Sequence, residues 1–140
     1  MICTDLKVLR QVSKPFTGSK GELHKLIALL DQELTKSTIP GVGLSAIQIV
    51  IPLQVAIIRT VDLDLDLYNT KIVDCGCLFR FKGEGCLSIP NTFKDTWRFE
   101  NITIENGDGS IIKLTGYNSI VIQHELCHFN GLLFIDYAAN

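Results

Sequence analysis

The chain has 140 residues, of which 46% are apolar and 20% charged, and its net charge is −2. That length and balance fit one packed domain, 1–140, and exclude a disordered chain. They also offer no basic footprint for nucleic acid, no apolar run near the ~20 residues of a membrane span, and no secretory leader in the charged start MICTDLKVLR.

The five cysteines, Cys3, Cys75, Cys77, Cys86 and Cys127, are an odd number, which argues against a disulfide framework and for a reducing compartment. Cys75-Gly-Cys77 has no second pair to make a zinc knuckle, so both read as ordinary strand or loop residues.

In chain order, SKGELHKLIALLDQEL predicts an amphipathic helix, with Leu23, Leu26, Ile27, Leu30 and Leu34 on one face. Ser19 and Glu22 fit a capping box at its start, and Pro40-Gly41 follow its end. His24 reads as a surface or boundary residue of that helix. QVAIIRTV, 54–61, reads as a strand. DLDLDLYNT alternates, but its aspartates suit a solvated loop equally well; the offsets of a calcium loop are absent. TKIVDC and CLFRFK read as short strands, and FENITIEN with SIIKLTG as a hairpin around GDG. YNSIVIQHELCHFNG predicts a buried helix, capped by Asn118 or Ser119 and ended by Gly131. Helix, strands and helix argue for a single α+β domain.

His124 and His128 stand four residues apart. Four helical steps of about 100° return to within about 40°, so both imidazoles share one face and can grip one metal ion. Glu125, offset around the helix, can reach a water beside that ion, the H-E-x-x-H arrangement of two ligands and a general base. Burying these groups unpaired costs about 1–3 kcal/mol each, which a metal offsets.

A catalytic site of this kind takes a third protein ligand and keeps one position open. The extended pattern H-E-x-x-H-x-x-G-x-x-H needs a histidine where Phe134 stands, and downstream only Asp136 is suited to ligate, so the search moves upstream. Cys86 in GEGCLSIP lies in a glycine-flanked loop and would complete a Cys-His-His set; a buried small residue is the alternative. GVGLSAIQI matches neither G-x-G-x-x-G nor a P-loop, but Gln48 offers an amide to a developing oxyanion.

GVGLSAIQ, EGCLS and QHELCHFNG, in that order, resemble the three motifs of the peptide deformylases, G-x-G-L-A-A-x-Q, E-G-C-L-S and Q-H-E-x-D-H-x-x-G. The likeness covers nearly the whole chain. It implies an α+β fold of small antiparallel sheets around a buried helix carrying HExxH. It also implies hydrolysis of N-formylmethionyl peptides and nascent chains, with release of formate. The resemblance makes Cys86, His124 and His128 the metal ligands and Glu125 the acid/base, with Gln48 and the Leu87 N–H holding the oxyanion. Gly43, Leu44, Tyr117, Ile120 and Val121 are the expected pocket for the methionine side chain. The expected cofactor is one divalent ion, Fe2+ in cells, with Zn2+, Ni2+ or Co2+ able to replace it. The expected setting is the cytoplasm of a bacterium or of a phage's host, as a monomer, near ribosomes but without the C-terminal docking helix of many bacterial members.

Two residues depart from the motifs. Ser45 replaces an alanine, and being small is expected to have little consequence. Cys127 replaces an aspartate, as a packing residue, an influence on the metal's surroundings, or an oxidisable thiol. Three rival readings are an H-E-x-x-H endopeptidase, a cysteine hydrolase with Cys86 as nucleophile, and a non-catalytic binding protein. The missing downstream ligand speaks against the first, and the other two are separated by chelation and by Glu125→Ala.

Overall fold

The computed structural model describes residues 1–140. A short helix α1, Leu6–Leu9, starts at Asp5, whose carboxylate accepts from Lys7 N–H. Helix α2, Lys20–Lys36, opens on the expected capping box: Ser19 Oγ accepts from Glu22 N–H at 3.1 Å, and the Glu22 carboxylate accepts from Ser19 N–H at 3.0 Å. Leu26, Ile27 and Leu30 of its apolar face are buried, while His24 lies on the exposed face.

Strand β1, Gly43–Ser45, leads through a 3-10 turn at Ala46–Ile49 to β2, Val55–Arg59, and β3, Asp64–Tyr68. The three form one antiparallel sheet in that order. The DLDLDLYNT segment is therefore a strand through its middle, Asp64–Tyr68. Its aspartates belong to an ion-pair group: Arg59 meets Asp64 at 3.1 Å, Asp66 at 2.8 Å and Asp31 of α2 at 2.9 Å. Leu67, next to Asp66, faces the core.

Strands β4, Lys71–Cys75, and β5, Leu78–Cys86, precede β6, Ile89–Phe99, β7, Asn101–Glu105, and β8, Ile111–Thr115. β5 and β6 form a long hairpin around the Leu87-Ser88 turn, with irregular register near Glu84, and β4-β7-β8 form the third antiparallel sheet. Cys75 and Cys77 are exposed free thiols where β4 runs into β5.

Helix α3, Gly116–Phe129, begins before the expected caps. Thr115 is its N-cap and makes no side-chain cap bond. Asn118 is occupied instead with Thr60 and Asp62, and Ser119 Oγ donates to Phe99 O. At the other end Gly131 adopts φ 72, the left-handed conformation that closes a helix, and a Cβ there would lie 2.3 Å from Arg10 O.

Val121, Ile122, Leu126 and Phe129 of α3 join Ala56, Ile58, Ile102, Ile104 and Leu114 in one core cluster. A second cluster lies between α2 and the β1–β2 pair. The chain ends in a 3-10 turn, Phe134–Tyr137, after which Ala138 pairs with Thr96 of β6.

Candidate metal centre and active site

Helix α3 is locked to β6 by Gln123. Its amide oxygen accepts from Phe99 N–H at 2.9 Å and its NH2 donates to Phe99 O at 2.7 Å, so the side chain extends the sheet's own bonding pattern. This fixes the rotation of the next turn. His124 and His128 then lie one turn apart on the face expected from their spacing, ring centroids 5.1 Å apart and planes at 71°.

Cys86, the last residue of β5, meets them. The ligand atoms of Cys86, His124 and His128 lie within 4.8 Å of one another, and Cys86 Sγ is 3.6 Å from His128 Nε2. Bonds of about 2.3 Å to sulfur and about 2.0 Å to nitrogen at a tetrahedral angle put two such atoms about 3.5 Å apart, so the three side chains fit a single ion. Burial pushes His124 down, but Cys86 and Glu84 outweigh it and hold its pKa well above the usual imidazole value. Burial, followed by the charges of His124 and Arg98, pushes His128 well below it.

Glu84 and Arg98 escaped the sequence reading. Both are buried, and Arg98 grips the Glu84 carboxylate through Nε at 2.8 Å and Nη2 at 2.6 Å. Thr96 Oγ1 donates to Glu84 as well, at 2.7 Å. Glu84 Oε2 lies 2.7 Å from His124 Nδ1, which leaves His124 Nε2 for a metal and fixes the ring. Burial pushes Glu84 up, but His124 and Arg98 prevail and hold it at about 2. Cys127 belongs to this group: Arg98 Nη1 donates to its Sγ at 3.4 Å, so it is more than a packing residue.

Glu125 packs against β1. Ser45 Oγ lies 2.9 Å from Glu125 Oε1 and 3.2 Å from the Glu125 carbonyl oxygen. Ser45 was expected to matter little; its hydroxyl is instead the hydrogen-bond partner of this carboxylate. A Cβ at Gly43 would lie 2.7 Å from Glu125 Oε2, so glycine leaves the room that the carboxylate occupies. Burial raises the Glu125 pKa, against the lowering effects of His124 and Ser45. Gln48 is buried between the segments. It accepts from Ser45 N–H at 2.9 Å, and Nε2 donates to Ser88 Oγ at 3.0 Å with Cys86 Sγ at 3.6 Å. The Leu87 N–H, at the tip of the β5–β6 turn, has no acceptor within the chain.

A cavity of about 380 Å³ opens over these groups. Gly43, Gln48, Cys86, Leu87, Tyr117, Ile120, Val121, His124 and Glu125 line it together with Phe81 and Ile39, which the sequence reading did not single out. Leu44 does not. Successive strand residues point to opposite faces, and with Gly43 turned to Glu125, Leu44 is fully buried in the cluster under α2.

Comparison with known proteins agrees with this geometry. The profile of the family described as polypeptide deformylase matches residues 1–140. The chain is 32% identical to the peptide deformylase of Helicobacter pylori strain G27, covering 93% of this chain and 80% of that one. Its fold superposes on the Thermotoga maritima peptide deformylase with a TM-score of 0.88 at 29% identity, over 100% of this chain and 97% of that one. A probable peptide deformylase from Synechococcus phage S-SSM7 gives 0.81 at 32% identity, over 98% of each. The chain belongs to the polypeptide deformylase family, as a metal-dependent hydrolase that removes the N-terminal formyl group from N-formylmethionyl polypeptides.

Proposed function

We propose that Cys86, His124 and His128 hold the divalent ion of this deformylase and that Glu125 moves the proton. The observation that carries the assignment is the convergence of one sulfur and two imidazoles within 4.8 Å, with the Glu125 carboxylate beside them in the same cavity. Bound there, the ion supplies Lewis acidity and brings the pKa of water at the site toward neutrality. Burial supports the part assigned to Glu125, because a carboxyl with a raised pKa accepts a proton and returns it near neutral pH.

The hydrolysis then balances within the chain. A water oxygen bonds to the formyl carbon and its proton passes to Glu125. The formyl oxygen gains charge, facing Gln48 Nε2 and the Leu87 N–H; one such donor is typically worth about 10²–10³ in rate. The C–N bond breaks, Glu125 returns the proton to the amine nitrogen, and formate leaves. The apolar wall of Tyr117, Ile120 and Val121 suits the unbranched methionine side chain.

Fe2+ is the ion proposed in cells, as the family resemblance implies; the thiolate–imidazole set would also accept Zn2+, Ni2+ or Co2+. The proposed setting is the cytoplasm, on nascent chains near the ribosome, as a monomer. No helix is long and apolar enough to cross a membrane.

Protein prepared without air and loaded with Fe2+ is expected to release formate from a formyl-Met-Ala peptide. Glu125→Ala is expected to keep its metal and lose turnover by about 10²–10⁴. Undiminished formate release by that variant overturns the role given to Glu125.

A further inference from the structure

The last residues of the chain pack against everything that orients His124. Phe134 is fully buried with its ring stacked on the His124 imidazole, centroids 6.1 Å apart and planes at 24°. The Tyr137 ring lies over the Arg98 guanidinium, 4.8 Å from Cζ to centroid. Ala138 bridges to Thr96, Ala139 N–H donates to Asp95 O at 2.7 Å, and Arg10 clamps Asp136 through two bonds at 2.8 and 2.9 Å. The segment is thus anchored at several points while two of its rings press on the site from behind.

We propose that Tyr137 is a positioning residue for the metal ligand His124, acting through Arg98 and Glu84. The path is a continuous series of short contacts. The ring covers one face of a buried guanidinium whose hydrogen bonds all run in its own plane. Those bonds hold both Glu84 oxygens, and Glu84 Oε2 meets His124 Nδ1 at 2.7 Å. A guanidinium held edge-on by a carboxylate and face-on by an aromatic ring has little freedom to rock. Without the ring, Arg98 gains a free face, Glu84 follows it, and the imidazole loses the partner that sets its direction. Groups that orient a ligand in this way typically govern metal affinity by 10–100-fold. Phe134 restricts the same imidazole directly, so one terminal segment supports one ligand on two sides.

The inference rests on the ligand assignment proposed above, and the experiment separates the two. Co2+-loaded full-length protein is read in two ways: its visible absorption, including the thiolate-to-cobalt band, and the rate at which a chromophoric chelator strips the ion. Absence of the thiolate band in the unaltered protein overturns the ligand assignment. With that band present, Tyr137→Leu is expected to release the ion about five- to tenfold faster and to shift the ligand-field bands. Tyr137→Phe, which keeps the ring, is expected to behave as the unaltered protein. If Tyr137→Leu does not yield folded protein, Tyr137→Met takes its place as a flexible ringless substitute. Release rate and spectrum unchanged in the ringless variant, or changed equally in Tyr137→Phe, overturn the proposal.

Discussion

Replacing Ser45 by alanine is the sharpest test of how Glu125, the proposed general base, is held. The hydroxyl sits 2.9 Å from Glu125 Oε1 and 3.2 Å from the Glu125 carbonyl oxygen, in a site where Ser45 itself is 1% exposed. A hydrogen bond to a charged group is worth about 1.5–3 kcal/mol. If half of that acts on the orientation of the carboxylate in the transition state, kcat falls about three- to tenfold, since about 1.4 kcal/mol is one decade. Ser45 does not line the cavity, so KM is expected to stay within about twofold. The pH dependence carries a sign. The Ser45 hydroxyl favours the ionised carboxylate and opposes the rise caused by burial. Removing it lets the Glu125 pKa climb further, and the acid limb of kcat against pH moves to higher pH. The assay is steady-state formate release from a formyl-Met peptide between pH 5 and 9, on protein whose metal content is measured beforehand. A Ser45→Ala enzyme with full metal, kcat within about twofold and an unmoved acid limb would refute the reasoning.

Two further outcomes follow from the same geometry. Gly43→Ala places a methyl 2.7 Å from Glu125 Oε2 and 3.1 Å from Ile57 O, so the carboxylate must move; kcat is expected to fall by about 10² with metal content unchanged, measured by formate release and metal analysis. The buried Glu84–Arg98 pair makes apoprotein stability pH-dependent. Glu84 titrates at about 2 in the folded chain against an ordinary 4.5, so its contribution, of order 3 kcal/mol, is complete above pH 4.5 and disappears as pH falls toward 2. Urea unfolding of Glu84→Gln apoprotein should therefore show a stability deficit at pH 6 that narrows as pH falls from 4.5; a deficit that holds constant to pH 3 would contradict it.

The parts of this molecule legible in the sequence are those fixed by local spacing. The α2 capping box, the buried face of that helix, the β7–β8 hairpin and the shared face of His124 and His128 each depend on residues within a few positions of one another. Strand β6 was passed over because Pro90, Asn91, Lys94 and Asp95 break its apolar alternation; it is held by pairing with β5. Cys86 entered the ligand set because the histidine pair lacks a downstream third ligand and a glycine-flanked thiol stands upstream; the motif resemblance then singled it out, and the structure brings it to His124 and His128.

The misreadings divide into two kinds, and the distinction bears on what a sequence can carry. Leu44 could have been excluded. Once Gly43 is set against Glu125, the two-residue alternation of a strand turns Leu44 to the other face, and the structure places it there. Glu84 lay within the same reach, two residues before Cys86 on β5, where a shared face brings both toward α3. Arg98 and Ser45 are different. Arg98 finds Glu84 only because the β5–β6 register shifts on both sides of Glu84, and bulges depend on how the whole hairpin twists against α3. Ser45 meets Glu125 across 80 positions of chain, where a hydroxymethyl in place of a methyl group looks neutral until the carboxylate stands beside it. The identity of the reacting groups is thus written locally, while the groups that aim them are chosen by tertiary pairing.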